Sequence, residues 1–252
     1  PTVAAPKTKR TPAVQEDCLP LEGTDHIEFY VGNSKQAAHF YKAAFGFQSL
    51  AYSGPETGTS DRVSYAIRQN KLTFLLTTPL GPGNPIADHI AKHGDGVKMI
   101  ALKVKDATSA WEETTKRGGK SFMKPTTLKD DAGQVVMSGI HTYGEVVHLF
   151  IEREDYSGIF IPGFEKWESD YRPSETGLEY VDHCVGNVGW NRMNPWEKFY
   201  EAVIGFKNIL PFDEMDISTA YSAIMSRIMR NGNGHLQFTI NETDDSKKQA
   251  QG

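Results

Sequence analysis

Apolar and polar positions alternate along this chain in short stretches, and their period switches between two and about three and a half. Residues 24–31 set Ile27, Phe29 and Val31 on one face, the pattern of a half-buried strand. Asn33-Ser34 then offers a helix N-cap, and Ala37, Ala38, Phe40, Tyr41, Ala44 and Phe45 recur at helical spacing over 35–45. Gly46 stops that helix, because glycine tolerates the left-handed conformation of a C-terminal cap. Strands are predicted over 47–52, 62–69 and 72–78, the last two turned back on each other at Gln69-Asn70. The result is one βαβββ unit. A short helix over 86–93 leads to a second: strand 97–104, a helix over 107–117 capped by Asp106, a brief strand 121–124 ended by Pro125, and a hairpin of 134–142 and 145–152 around Tyr143-Gly144.

The plan then returns. Residues 153–177 are rich in charge, Pro and Gly and read as a linker, partly anchored by Phe160, Ile161, Phe164 and Trp167. Beyond them come a strand over 178–185, a helix over 195–204 and strands over 206–212, 217–229 and 235–240, the last two joined by the hairpin turn Asn231-Gly232-Asn233-Gly234. The repeat shows in the residues themselves: Asp25-His26, Phe40-Tyr41 and Gly46-Phe47 return as Asp182-His183, Phe199-Tyr200 and Gly205-Phe206. His to Phe-Tyr spans 14 residues in the first copy and 16 in the other, and Phe-Tyr to Gly-Phe spans 6 in both. The expected organisation is a mobile arm (1–20), an N-terminal structural domain of two βαβββ modules (21–152), the linker (153–177) and a single module (178–252). The fold class is α+β, with repeated βαβββ modules forming open half-barrels. A lone module leaves an apolar sheet face open, so a further module is expected in the natural chain, of which this sequence, opening on Pro1, is read as a part.

Composition narrows the function classes. The chain of 252 residues is 38% hydrophobic and 23% charged, with a net charge of −5, and a phosphate-binding surface would show clustered Lys and Arg instead. No apolar run approaches the roughly 18 residues of a membrane helix, and no signal peptide is visible in the first 20. Of the two cysteines, Cys18 sits in a polar tail and Cys184 in an apolar strand, which points to a reducing compartment, not a disulfide framework.

Histidines carry the candidate chemistry. His183, between Asp182 and Cys184, could serve as a metal ligand, although a lone strand histidine is more often structural. His89 and His93 stand at i and i+4, a metal-binding spacing, but in a polar helix that reads as a solvated face. His26 with Glu152 could begin a metal site that still needs a third ligand; His148 shares a strand face with Glu152, and His141 is expected to meet His148 across the hairpin. No G-x-S-x-G, phosphate loop or Cys-x-x-Cys is present.

Longer segments carry a resemblance: HIEFYVGNSKQAAHFYKAAFGF (26–47), KHGDGVKMIALKV (92–104), HTYGEVVHLFIER (141–153), FIPGFE (160–165), LEYVDHCVGNV (178–188) and AYSAIMSRIMRNGNGHLQFTINE (220–242). On these the chain resembles the 4-hydroxyphenylpyruvate dioxygenases of the vicinal-oxygen-chelate superfamily. The resemblance implies two domains of two modules each, with catalysis in the second. It implies Fe(2+) held by two histidines and one glutamate, the first being His183, and the other two falling in a fourth module that this sequence lacks. In the first domain Met99 stands where the second histidine would be, with His26 and Glu152 at ligand-like positions. Ser226, Asn241 and Gln251 match substrate-pocket residues, although Thr239 and Thr243 replace two prolines around Asn241. The implied reaction takes an aromatic 2-oxo acid, 4-hydroxyphenylpyruvate, and O2 to homogentisate and CO2 in tyrosine and phenylalanine catabolism, in a cytoplasmic homodimer. The alternatives are a hydroxymandelate synthase-like dioxygenase and a non-catalytic fragment or binding protein of the same fold.

Overall fold

The computed structural model describes residues 18–209, 217–218 and 223–243. The first module runs β1 (Leu21–Tyr30), α1 (Ser34–Phe45), β2 (Gln48–Ser53), β3 (Arg62–Gln69) and β4 (Leu72–Pro79). Helix α2 (Pro85–His93) leads to β5 (Gly96–Val104), α3 (Ala107–Lys116), β6 (Ser121–Asp130), β7 (Gly133–His141) and β8 (Val147–Glu152). In each module the first strand lies parallel to the last, and β1 and β5 pair antiparallel at the centre, Ile27 opposite Ile100. With β9 (Glu165–Lys166) on one edge, the order is β6-β7-β8-β5-β1-β4-β3-β2-β9. The two modules are thus related by a pseudo-twofold between β1 and β5. The mixed sheet curls into an open half-barrel, as strand twist favours. Alternation puts His26, Glu28, Tyr30, Met99 and Leu149 on its concave face, and Ile27, Ile100, Leu102 and Phe150 on the other.

Helix ends follow their sequence signals. Asn33 Oδ1 accepts from Gln36 N at 3.0 Å and Asp106 Oδ1 from Ser109 N at 2.8 Å. Gly46 adopts φ 75° and closes α1. The inner face of α1 differs from the predicted stripe: Ser34, Ala38 and Lys42 are buried, whereas Phe40 and Phe45 are exposed. Lys42 is tolerated there because its ammonium donates to Ser49 Oγ (2.7 Å) and Ser169 Oγ (2.8 Å) and lies over the Trp167 ring.

The third module runs β10 (Cys184–Val188), α4 (Met193–Phe199) with a π-helical continuation over Tyr200–Ile204, then β11 (Lys207–Asn208), β12 (Ile217–Ser218), β13 (Ala223–Arg230) and β14 (Gln237–Thr243). Its sheet, β10-β14-β13-β11 with β12 on β13, repeats the order of the first module, and β10 again lies parallel to β14. It packs on the convex face of the large sheet. Tyr200, Phe206, Phe238 and Ile240 share one core with Ile27, Leu102, Ile140 and Phe150, each such side chain contributing about 1.5–3 kcal/mol on burial. Within this joint Tyr200 Oη meets His148 Nε2 at 2.8 Å. The Asn231–Gly234 turn is more than a hairpin connection: Asn233 Nδ2 donates to Leu21 O at 2.8 Å and ties it to β1.

Four predicted elements change. β6 continues through Pro125 to Asp130, because it is the sheet edge and a register shift between Met123 and Thr126 absorbs the missing donor. The strand predicted from 178 begins only at Cys184; residues before it pair with the β3–β4 turn, where Asn70 Nδ2 donates to Leu178 O at 2.7 Å and Gln69 Oε1 accepts from Leu178 N at 2.8 Å. The strand predicted over 217–229 is described in two pieces, β12 and β13, and that over 206–212 only as β11. Most of the predicted arm lies outside the described residues.

Candidate functional site

Register aligns the first and third modules residue for residue. Glu28, Phe29 and Tyr30 sit opposite Leu75, Leu76 and Thr77, as Val185, Gly186 and Asn187 sit opposite Thr239, Ile240 and Asn241. Ser64 faces Thr77 as Ser226 faces Asn241. Each module therefore offers one concave face, entered beside an Asp-His pair.

In the first module that face, together with β5–β8 and the linker at 161–164, lines a partly open cavity of about 390 Å³. His26 is 1% exposed and its Nδ1 donates to Asp25 Oδ1 at 2.6 Å. Asp25 also accepts from Arg153 Nη2 at 2.7 Å. Burial alone would raise the Asp25 carboxyl, but the bond from His26 and the charges of His26 and Arg153 hold it below its usual range. Glu28 is buried and accepts from Thr77 Oγ1 at 2.6 Å; Thr77 in turn accepts from Ser64 at 2.8 Å. Desolvation raises the Glu28 carboxyl in spite of the bond from Thr77. Met99, Phe122, Met137 and Leu149 supply apolar wall. The expected pairing of His26 with Glu152 does not form. Glu152 has the parity of His148 and Phe150, on the convex face, where its Oε2 accepts from Ala107 N at 2.9 Å and caps α3. Glu242 does the same for α4, accepting from Met193 N at 2.7 Å. His141 lies opposite Val147, not His148, so those imidazoles point to different faces.

In the third module the face is open among the described residues. His183 immediately precedes β10, its side chain 44% exposed, with Nδ1 donating to Asp182 Oδ2 at 2.6 Å. Val185 and Asn187, on the face of Thr239 and Asn241, are exposed. Ser226 Oγ donates to Asn241 Oδ1 at 2.7 Å, so the carboxamide nitrogen of Asn241 keeps its donors for another group. Ser226, Asn241 and the strand that His183 introduces thus share one sheet. Gln251 lies outside the described residues. Burial pushes the Cys184 thiol up to about 11, so it is no nucleophile at neutral pH.

A third cluster lies elsewhere. His89 and His93 of α2 converge on Glu145 in the β7–β8 turn. Glu145 and the buried Glu28 were both missed in the sequence. The spacing His26-x-Glu28 held the signal for the latter, while nothing local relates Glu145 to a histidine pair 52 residues earlier in the chain.

Paired βαβββ modules curling around a concave face define a class, and the comparisons agree with it. Residues 23–152 match the family described as the Glyoxalase/Bleomycin resistance protein/Dioxygenase superfamily, and this chain belongs to that superfamily. It is 36% identical to a 4-hydroxyphenylpyruvate dioxygenase of Aspergillus fumigatus, the alignment covering 100% of this chain and 67% of the relative. It is 40% identical to one of Dictyostelium discoideum, covering 92% and 65%. Among solved structures, a mutant of 4-hydroxymandelate synthase from Streptomyces coelicolor shares the fold, with a TM-score of 0.79 at 24% identity, covering 92% of this chain and 66% of that one. The chain spans about 60 to 67% of the length of these curated relatives.

The described residues were tested for the iron that the family implies. A facial triad needs three donors on one metal. Around His183 only Asp182 adds a carboxylate, bonded to Nδ1, and no group of three His, Cys or carboxylate donors forms there among the described residues, whose one such cluster is His89, His93 and Glu145. The described residues do not by themselves fit a ferrous ion at His183. No helix among them is long and apolar enough to cross a membrane.

Proposed function

We propose that this chain is part of an iron(II)-dependent dioxygenase that takes 4-hydroxyphenylpyruvate and O2 to homogentisate and CO2. The carrying observation is its 36 to 40% identity, over nine-tenths or more of its length, to relatives of that name. In this reading residues 21–152 are the structural domain, and the module from 178 onward opens the catalytic one. His183 is one of three iron ligands, the other two belonging to a fourth module. The Ser226–Asn241 pair supports the same reading: with its oxygen engaged, Asn241 offers N–H groups to an oxygen of the substrate. Gln251 is proposed beside them.

Two free cysteines fit a reducing, cytoplasmic setting. A homodimer is proposed with it, to be measured by sedimentation. The test uses the full-length protein supplied with ferrous iron and 4-hydroxyphenylpyruvate. Homogentisate with matching CO2 release, lost in His183→Ala, is the expected result. 4-Hydroxymandelate as product would move the assignment to hydroxymandelate synthase, and no turnover with any aromatic 2-oxo acid would sink the enzyme reading.

A further inference from the structure

We propose that His89, His93 and Glu145 form a second metal site, open to solvent and suited to a borderline transition-metal dication such as zinc. The two histidines stand one turn apart at the end of α2, their ring centroids 4.5 Å apart. Glu145 comes from the β7–β8 turn, which the parallel pairing of β8 with β5 brings beside them. Its Oε2 lies 2.9 Å from His93 Nε2 and 3.6 Å from His89 Nδ1, and the three donor atoms all lie within 4.8 Å of one another. A tetrahedral ion with bonds of 2.0–2.1 Å separates its donors by about 3.3 Å. The two spacings from Oε2 straddle that value, and the third, between the imidazole nitrogens, lies within 4.8 Å, so rotation of the two rings toward each other closes the site.

The surroundings hold these donors in place. His89 is 9% exposed at its side chain and meets the edge of Tyr30. Lys98 Nζ donates to Glu145 O at 2.6 Å and fixes the turn. Lys92 Nζ bonds Oε1 of Glu145 and leaves Oε2 to the histidines. Its ammonium opposes a cation, but the side chain is 62% exposed and free to swing into water. Two imidazoles and one carboxylate suit zinc and copper and disfavour magnesium and calcium, which take oxygen. The donor types equal those of a facial triad, so iron counted on this protein need not sit at His183. The proposal stands apart from the dioxygenase reading, since the site lies on α2 and the β7–β8 turn.

The test is calorimetric titration of zinc into the chelator-treated protein, beside His89→Ala, His93→Ala and His183→Ala. Two saturable events are expected in the full-length protein: one lost in His183→Ala, and one of micromolar affinity that His183→Ala leaves in place and both α2 variants weaken at least about tenfold. In the His183→Ala background zinc would raise the melting temperature, and adding His93→Ala would abolish that rise, as expected for a ligand bound only by the folded form. His93 ends its helix at the surface, and circular dichroism verifies that the variant folds. A zinc isotherm unchanged by His89→Ala and His93→Ala, or no saturable event in the wild type, overturns the proposal.

Discussion

The same dipeptide occurs twice in this molecule with the same 2.6 Å hydrogen bond and in opposite surroundings. Asp25-His26 is sealed: β5 covers β1 along its length, Arg153 neutralises Asp25, and Phe160 packs edge-on to the imidazole. Asp182-His183 stands in the open, at the start of a strand that pairs on one side only among the described residues. The comparison teaches that the neighbouring strand, not the dipeptide, decides what such a histidine does. In the first module the cross-strand pair Ser64–Thr77 is consumed on the buried Glu28. In the third, Val185 replaces that acid, and the equivalent pair Ser226–Asn241 keeps its donors available.

The sharpest way to break this comparison is to remove each histidine in turn. His183→Ala in the full-length enzyme is expected to lower kcat/KM by about a thousandfold or more, roughly 4 kcal/mol of lost transition-state stabilisation. Its stability should stay within about 0.5 kcal/mol, as for surface positions generally. His26→Ala should do the reverse. The folded enzyme keeps its activity within about threefold, while denaturant melts show a loss of about 1–3 kcal/mol, because a buried Asp25 loses one of its two partners. Equal activity losses would mean that both faces are functional.

The next effect concerns the joint between the halves. His148 is buried against Tyr200 and Phe238, and desolvation pushes its pKa down to about 3. The unfolded chain, with a histidine near 6.5, therefore binds the extra proton first as pH falls. The stability that neutral His148 confers is complete above about pH 6.5 and is lost toward pH 3 at roughly 1.4 kcal/mol per unit. His148→Leu lacks this term. Urea melts at pH 7.5 and 5 should show the difference between wild type and variant moving against the wild type by roughly 2 kcal/mol on acidification.

How much of this was legible follows from how local each signal is. The Asp-His, Phe-Tyr and Gly-Phe repeats and the caps at Asn33, Asp106 and Gly46 are readable because each depends on residues within a turn or two. Pro125 misled because its tolerance depends on β6 being an edge. The burial of Lys42 had no local signal, because its partners, Ser169 and Trp167, come from the linker. Glu152 shares the face of His148 as read, but its pairing with His26 failed, since which sheet face that is depends on the registers of β8 on β5 and of β5 on β1. For the candidate site, the alternation that puts Asn241 beside Ser226 was available only as resemblance until the register of β13 on β14 was known.

Gly186 tests the joint by size. It stands where the first module has Phe29, and a Cβ there would come within 2.3 Å of the Tyr143 ring. Tyr143 fills that space, edge-on to Trp196. Gly186→Ala should cost about 1–3 kcal/mol, a fall in melting temperature of about 2–4 °C for each kcal/mol. Tyr143→Ala in the same background should recover part of the loss as a coupling energy. A clean additive result would show that the modules tolerate a looser joint than this contact implies.

The smallest expected effect bears most directly on the open face. Ser226→Ala removes one neutral hydrogen bond, worth about 1 kcal/mol, and leaves Asn241 in place but free to rotate. A rotated carboxamide presents its oxygen to the substrate in part of the population, so binding weakens and the chemical step is untouched. The expected signature is KM raised about fivefold with kcat unchanged, and Asn241→Ala exceeding it. Ser64→Ala, at the equivalent place in the first module, should leave KM alone and lower stability instead, because Thr77 and Glu28 are buried. If Ser64→Ala moved KM and Ser226→Ala did not, the cavity beside His26 would be the substrate site and the roles of the two faces would have to be exchanged.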